Sequence, residues 1–261
     1  MRLAQRKVCG VSGSENLLAV VANISFTNRG LTKVKKLSVA VVTATTGRQS
    51  LVRAIESVKN QTYPCRHYVF VDGMFDVPAE AYGHGVNFIQ LPVSTGSNGY
   101  MNAGIIAASA YLVPDDLICW LDDDNWFEPE HVESLLTAIE GKSYAYSLRK
   151  LVTQDGQFFA NDDWESLGHH GEHGLIDVNC YLMSRALAVQ IAPAWYQQQD
   201  GYMVGDRYMF ASLKANNIPY GTSGKYTVNY TLGAKKDLRA WFRQGNAMNY
   251  NRYDGQYPWA K

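Results

Sequence analysis

The sequence predicts an α/β fold with a mostly parallel central sheet and helices on both faces. Three observations lead there. Short runs of β-branched and apolar residues recur at 37–43, 67–71, 86–91 and 117–121. Segments with helical spacing separate them, as expected of alternating strands and helices. Three of the runs end in polar residues, at 43–46, at Asp72 and at Asp122, Asp123 and Asp124. In such sheets ligands bind beyond the carboxyl ends of the strands, so these ends would share one site.

Taken in order, residues 1–36 carry scattered basic side chains and weak periodicity, and read as an extension with one short strand near 17–26. Residues 37–43 form a buried parallel strand. Thr46 and Gln49 suit a capping box for a helix carrying Leu51, Ile55 and Val58 on one face. Strands follow at 67–71 and 86–91, then a glycine-rich stretch. A helix of small residues spans 102–112, stopped by Pro114, and a fourth strand at 117–121 runs into the three aspartates. Pro129 suits the first position of the next helix, with Val132, Leu135, Leu136 and Ile139 inward and Gly141 at its end. Beyond it, 144–152, 158–159 and 177–184 read as strands, 161–174 as a loop, and 185–191 and 204–213 as helices. The Tyr-, Gly- and Asn-rich stretch from 218 onward gives no readable pattern.

Composition narrows the function classes. Lys plus Arg and Asp plus Glu both number 24, so no net field draws a polyanion and nucleic acid is not an expected partner. The cysteines Cys9, Cys65, Cys119 and Cys180 show no CxxC spacing, which fits reduced thiols in a cytoplasmic protein. No apolar run is long enough to span a bilayer, and the apolar stretch at 17–24 lies too deep for a signal peptide. The expected place is the cytoplasm, with peripheral association at the inner face of the membrane left open.

Three consecutive carboxylates after Ile118, Cys119, Trp120 and Leu121 need neutralising, because like charges raise one another's pKa. A hard divalent ion, Mn²⁺ or Mg²⁺, does this with oxygen ligands and keeps positions for water and phosphate. Alternation along an extended segment lets Asp122 and Asp124 face one centre while Asp123 points elsewhere. A solvated turn would be satisfied by one aspartate; three fit it poorly.

Here the chain resembles the family 2 glycosyltransferases of the Rossmann-like GT-A fold. The resemblance rests on 37–47 followed by a helix, the strand ending in Asp72, Asn102-Ala-Gly opening a helix, and Trp120-Leu-Asp-Asp-Asp-Asn. It is good over 37–140 and looser to about 235. It implies a metal-dependent, inverting transfer from a nucleotide-diphosphate sugar, commonly a UDP-sugar, to a glycan, lipid-linked or protein acceptor. It also implies a nucleotide-sugar-binding half at 37–140, an acceptor-side half at 141–235 and a tail at 236–261.

By the same resemblance Thr43, Ala44, Thr45 and Arg48 border the nucleoside, and Asp72 bonds the base. Asn102 lies near the donor, with Asp123 among the donor-side residues. Asp122 meets ribose or metal, and Asp124 is the chief metal ligand. Many members carry a basic residue before the asparagine, where this chain has Met101.

An inverting displacement needs a base on the acceptor hydroxyl. Asp206, opening the helix at 204–213, resembles the family's base, with a helix cap as its plain alternative. Asp177 is the second candidate, or an acceptor-binding residue. Trp164 suits stacking on an acceptor sugar or ordinary packing. His169, His170 and His173 lack the spacing of a helical zinc pair and read as a solvated loop. Gly96, Gly99 and Gly104 do not form a dinucleotide fingerprint. Arg239 and Arg243 suit a solvated helix face, or a clamp on the diphosphate. Two other classes remain: a non-catalytic sugar- or nucleotide-binding module, and a metal-dependent nucleotidyltransferase.

Overall fold

The structure is a computed structural model. It describes residues 36–261 except 97–98, 200–201, 204 and 234–235. The expectations for 1–35, including the strand near 17–26, lie outside the described residues.

The strands are β1 (Val39–Thr45), β2 (Arg66–Val71), β3 (Asn87–Gln90), β4 (Leu117–Trp120), β5 (Trp126–Phe127), β6 (Tyr144–Val152), β7 (Phe158–Asn161), β8 (Tyr181–Ser184), β9 (Gln198–Gln199), β10 (Tyr202–Met203) and β11 (Tyr220–Thr231). The helices are α1 (Leu51–Lys59), α2 (Ala103–Leu112), α3 (His131–Ala138), α4 (Arg185–Trp195), α5 (Gly205–Ala215) and α6 (Lys236–Tyr253). The main sheet runs β3-β2-β1-β4-β8-β6-β11-β5, with β7 on β6 and a separate β9–β10 ribbon. β1 pairs in parallel with β2 and β4, and β2 with β3. β8 is antiparallel to both β4 and β6. Hence β6, and β11 parallel to it, point the same way as β1–β4. Reversed strands therefore interrupt a mostly parallel sheet, as expected.

Val39, Ala40, Val41 and Val42 are consecutive and all buried, so β1 is covered on both faces. α2, α4 and α5 pack together as one group, while α1 and α3 meet the sheet elsewhere. Thr45 accordingly ends β1, and Asp72 and Asp122–Asp124 lie beyond the carboxyl ends of its parallel neighbours β2 and β4.

Several boundaries differ from expectation for local reasons. The capping box at Thr46 and Gln49 does not form. Gly47 turns the chain at φ +83°, where a Cβ would overlap the Asp76 carbonyl. α1 then starts at Leu51, its N–H bonded to the Arg48 carbonyl at 3.1 Å. Pro129 precedes α3 instead of opening it, and its carbonyl accepts from the Thr62 N–H at 2.9 Å. The expected strand at 177–184 begins as a 3₁₀ turn, Val178–Cys180, because the Asp177 carboxylate takes the Asn179 N–H. Residues 236–261, read from sequence as a tail, are part of the packed structure. Phe242 and Trp259 are buried, and Asn246 and Asn249 bond the backbone of 161–163. No helix among the described residues is long and apolar enough to cross a membrane.

Candidate active site

The strand ends open into a cleft of about 570 Å³. One wall comes from the turns after β1, β2, β3 and β4, with Thr45, Arg48, Asp72, Gly96, Asn102 and Asp122–Asp124. The other comes from Asp177 and Val178, the start of α5 at Gly205 and Asp206, Trp195 of α4, and Tyr230 and Thr231 of β11.

The three aspartates have separate environments. Asp123 is buried. It accepts from Thr45 Oγ1 at 2.6 Å and from Arg48 through Nε at 3.2 Å and through Nη2. Burial pushes its pKa up, and Thr45 and Arg48 pull it back. Asp124 is half-buried and accepts from Arg48 Nη1 at 3.0 Å. Its backbone carbonyl is held by Thr231 Oγ1 at 2.6 Å and by Arg53 Nη2 at 3.2 Å, while Arg53 stacks on Trp126. Burial works against the Arg48 charge, but the two carboxylates hold its pKa above the usual value.

Asp122 meets amides. Asn102 donates to Oδ1 at 2.7 Å and Asn179 to Oδ2 at 2.8 Å, while the Asp122 N–H donates to Asn179 Oδ1 at 2.6 Å. Burial, followed by the charge of Asp177, pushes the Asp122 carboxyl up to about 7, with the Asn179 bond acting against them. An excess of negative charge is thus built into the cleft.

Asp177 accepts three hydrogen bonds. Arg149 donates to one carboxylate oxygen, and the Asn179 N–H and Nδ2 donate to the other at 2.9 and 2.7 Å. Arg149 is itself buried within β6. It also bonds Asp162 at 2.8 Å and Glu165 at 2.6 Å, and it lies 4.1 Å from the centre of the Tyr230 ring. Asp206, by contrast, accepts among the described residues only from the next N–H along its own helix, Arg207 N, at 2.7 Å. Burial and then the neighbouring Asp177 raise its pKa. A carboxylate tuned upward in a cleft matches what proton removal requires. Of the two candidate bases, Asp206 has more open acceptor capacity than Asp177.

Asp72 takes four donors from the loop after β3: Thr95 N at 2.6 Å, Thr95 Oγ1 at 2.9 Å, Gly96 N at 3.0 Å and Ser94 Oγ at 3.1 Å. It braces that loop, and a base would have to share or displace these bonds. A Cβ at Gly96 would overlap the Met101 carbonyl and crowd the Asp72 carboxylate, so the close approach needs glycine.

The other expected residues are placed as follows. Ala44 and Thr45 line the cleft. Thr43 is buried and bonds His67 Nε2 at 2.9 Å, turned from the cleft lining. Trp164 packs edge-on against Trp241 and His173, outside the cleft lining. His169 is not a solvated loop residue: it stacks on Tyr220 with ring centres 3.6 Å apart and bonds the Tyr144 hydroxyl at 2.8 Å. Arg239 and Arg243 lie over Phe159 and do not line the cleft.

Sequence reasoning missed Asn179, Arg149, Arg53 and Thr231. Arg149 carried a signal, a charge within an otherwise strand-like run, which demands buried partners. Asn179 carried only its nearness to Asp177.

The carboxylates of this cleft are hard oxygen donors, the type that a divalent ion takes. Among the described residues, no group of three or more His, Cys, Asp or Glu side chains is placed to hold a metal ion. Mg²⁺-type sites instead use one or two carboxylates and leave positions for water and phosphate oxygens. Asp122 and Asp124 offer that arrangement, in a cleft where Arg48 is the basic side chain among the described lining residues.

Comparison with known proteins identifies the family and the fold. The family model "Glycosyl transferase family 2" matches residues 38–173, just over half of the chain. The chain belongs to that family. An uncharacterized protein of Haemophilus influenzae is 38% identical over 109 residues, covering 34% of this chain and 70% of the relative. Crystal structures of S. aureus TarS share the fold. The full TarS chain matches with a TM-score of 0.56 at 15% identity over 83% of this chain. Its 1–349 fragment matches with a TM-score of 0.58 at 15% identity, over 84% of this chain and 72% of the fragment. The chain spans 43% of the full TarS length. The 1–349 fragment is also known in complex with UDP-GlcNAc, matching with a TM-score of 0.56 at 13% identity over 84% of this chain and 73% of that one.

Proposed function

We propose that this chain is an inverting, metal-dependent transferase. It moves a sugar from a nucleotide-diphosphate donor, a UDP-sugar, to a hydroxyl of a glycan, lipid-linked or protein acceptor. The observation that carries this reading is one cleft in which the carboxylates after β4 face a separate, poorly partnered carboxylate at the start of α5. The UDP-GlcNAc complex of the TarS fragment supports the choice of donor.

Each wall then has its task. Ala44, Thr45 and Arg48 border the nucleotide, and Asp72 sets the loop at 94–96 beside it. Mn²⁺ or Mg²⁺, held by Asp122 and Asp124, would offset charge on the diphosphate leaving group. Arg48 supplies the basic group that Met101 does not. Asp206 takes the proton from the acceptor hydroxyl as the oxygen bonds the anomeric carbon and the bond to the diphosphate breaks. The raised Asp206 pKa brings it nearer to that of a useful base.

Calorimetric titration of UDP with and without Mn²⁺, on the wild type and on Asp124→Ala, tests the donor half. Binding that needs both the metal and Asp124 is expected. Affinity indifferent to EDTA and to the substitution would remove the metal and Asp124 from the donor site.

A further inference from the structure

We infer that Asn179 is a positioning residue that fixes Asp122 for the donor by tying it to Asp177 on the opposite wall. This rests on the reading of Asp122 as a donor-side residue.

Asn179 has no exposed surface, and its amide is fully used between two carboxylates. Its Oδ1 accepts the Asp122 N–H at 2.6 Å. Its Nδ2 donates to Asp122 Oδ2 at 2.8 Å and to Asp177 Oδ1 at 2.7 Å. Only an uncharged amide provides one acceptor and two donors in this space. A leucine would leave the Asp122 N–H unpaired, and an aspartate would set a third carboxylate between two others.

Asn179 is itself held. Its backbone N–H donates to Asp177 at 2.9 Å, and Arg149 fixes the other Asp177 oxygen from behind. The Asp122 carboxylate is then pinned on both sides, by Asn102 at the start of α2 and by Asn179 from the turn before β8. Side chains that present a carboxylate to a ligand work when supporting bonds lock their rotamer. Asn179 supplies that support and joins the two walls of the cleft through a single side chain.

The experiment is a double-mutant cycle read by UDP calorimetry with Mn²⁺, using the wild type, Asn179→Ala, Asp122→Ala and the double variant, with thermal melts on the same samples. If Asn179 acts through Asp122, Asn179→Ala weakens UDP binding by roughly tenfold or more. It then adds almost nothing in the Asp122→Ala background. Additive losses, or unchanged affinity in the single variant, overturn the inference, since general loosening of the fold would act in both backgrounds. Should Asn179→Ala fail to fold, the isosteric Asn179→Asp carries the same cycle. It is expected to lose at least as much affinity, and wild-type affinity from it would overturn the inference. A wild type that binds no UDP at all sinks the donor assignment instead, a result distinct from either.

Discussion

The two walls of the cleft handle negative charge differently. On the β1–β4 wall, Asp123 and Asp124 share Arg48, and Asp123 also has Thr45. On the β8–α5 wall, Asp177 is matched to Arg149, while Asp206 accepts among the described residues only from a backbone donor of its own helix. A carboxylate held by several donors is fixed in place. One that is partly buried with a single backbone donor keeps room to accept a ligand proton. Position in the cleft therefore does not choose between Asp177 and Asp206, and the difference in partners is what favours Asp206 as the base we propose.

Removing Arg149 should give the largest effect on the fold. Arg149→Met leaves Asp162, Glu165 and Asp177 together without their common cation. Breaking a buried ion pair from one side costs about 3–5 kcal/mol, so the urea midpoint at pH 7 should drop accordingly. A midpoint within error of wild type would mean that the β8 wall does not depend on this charge.

Acid should act next in size. His67 and His131 are buried, and burial lowers each to about 3 from 6.5. His67 bonds Thr43, and His131 bonds Thr227 and stacks on Phe127. The unfolded chain binds protons at these sites below pH 6.5 while the folded chain does not. Their contribution is complete above 6.5 and is lost as pH falls from there toward 3, at up to about 1.4 kcal/mol per histidine per pH unit. Melting temperatures measured from pH 7.5 to 4.5 should decline, and His131→Gln should flatten the decline. An unchanged slope in that variant would remove His131 as a source.

The smallest effect sharpens the contrast between the two carboxylates of the second wall. Asp177→Asn keeps an oxygen for Asn179 to bond, while it removes the charge and puts an NH₂ where Oδ2 accepts from Arg149. Transfer should fall by less than about tenfold, about 1.4 kcal/mol, when initial rates are measured with saturating donor. A loss as large as that of a missing base would make Asp177 the proton acceptor.

Much of the first half was legible because β1, β2 and β4 each carry an apolar run that leads into a polar tip. The runs at 67–71 and 117–121 match β2 and β4 almost residue for residue. The later half resists reading for physical reasons. β11 spans Tyr220–Thr231 with two register shifts against β6, so its two-residue alternation is broken. α6 has a largely polar sequence, and few side chains such as Phe242 secure it to the rest. The site divided in the same way. Asp122–Asp124 and Asp206 announced themselves as carboxylates at element ends. Asn179 and Arg149 matter through partners 57 and 28 residues away, Asp122 and Asp177, which no local pattern shows. The reading of Asp72 from resemblance left out its four bonds to the loop at 94–96, which only the folded chain reveals.

The most direct measurement is turnover by Asp206→Asn, with UDP affinity determined on the same preparation. Donor affinity within a factor of about two of wild type, with transfer reduced by roughly 10²-fold or more, is the result this account requires. Transfer at the wild-type rate would contradict it and free Asp206 from any part in moving the proton.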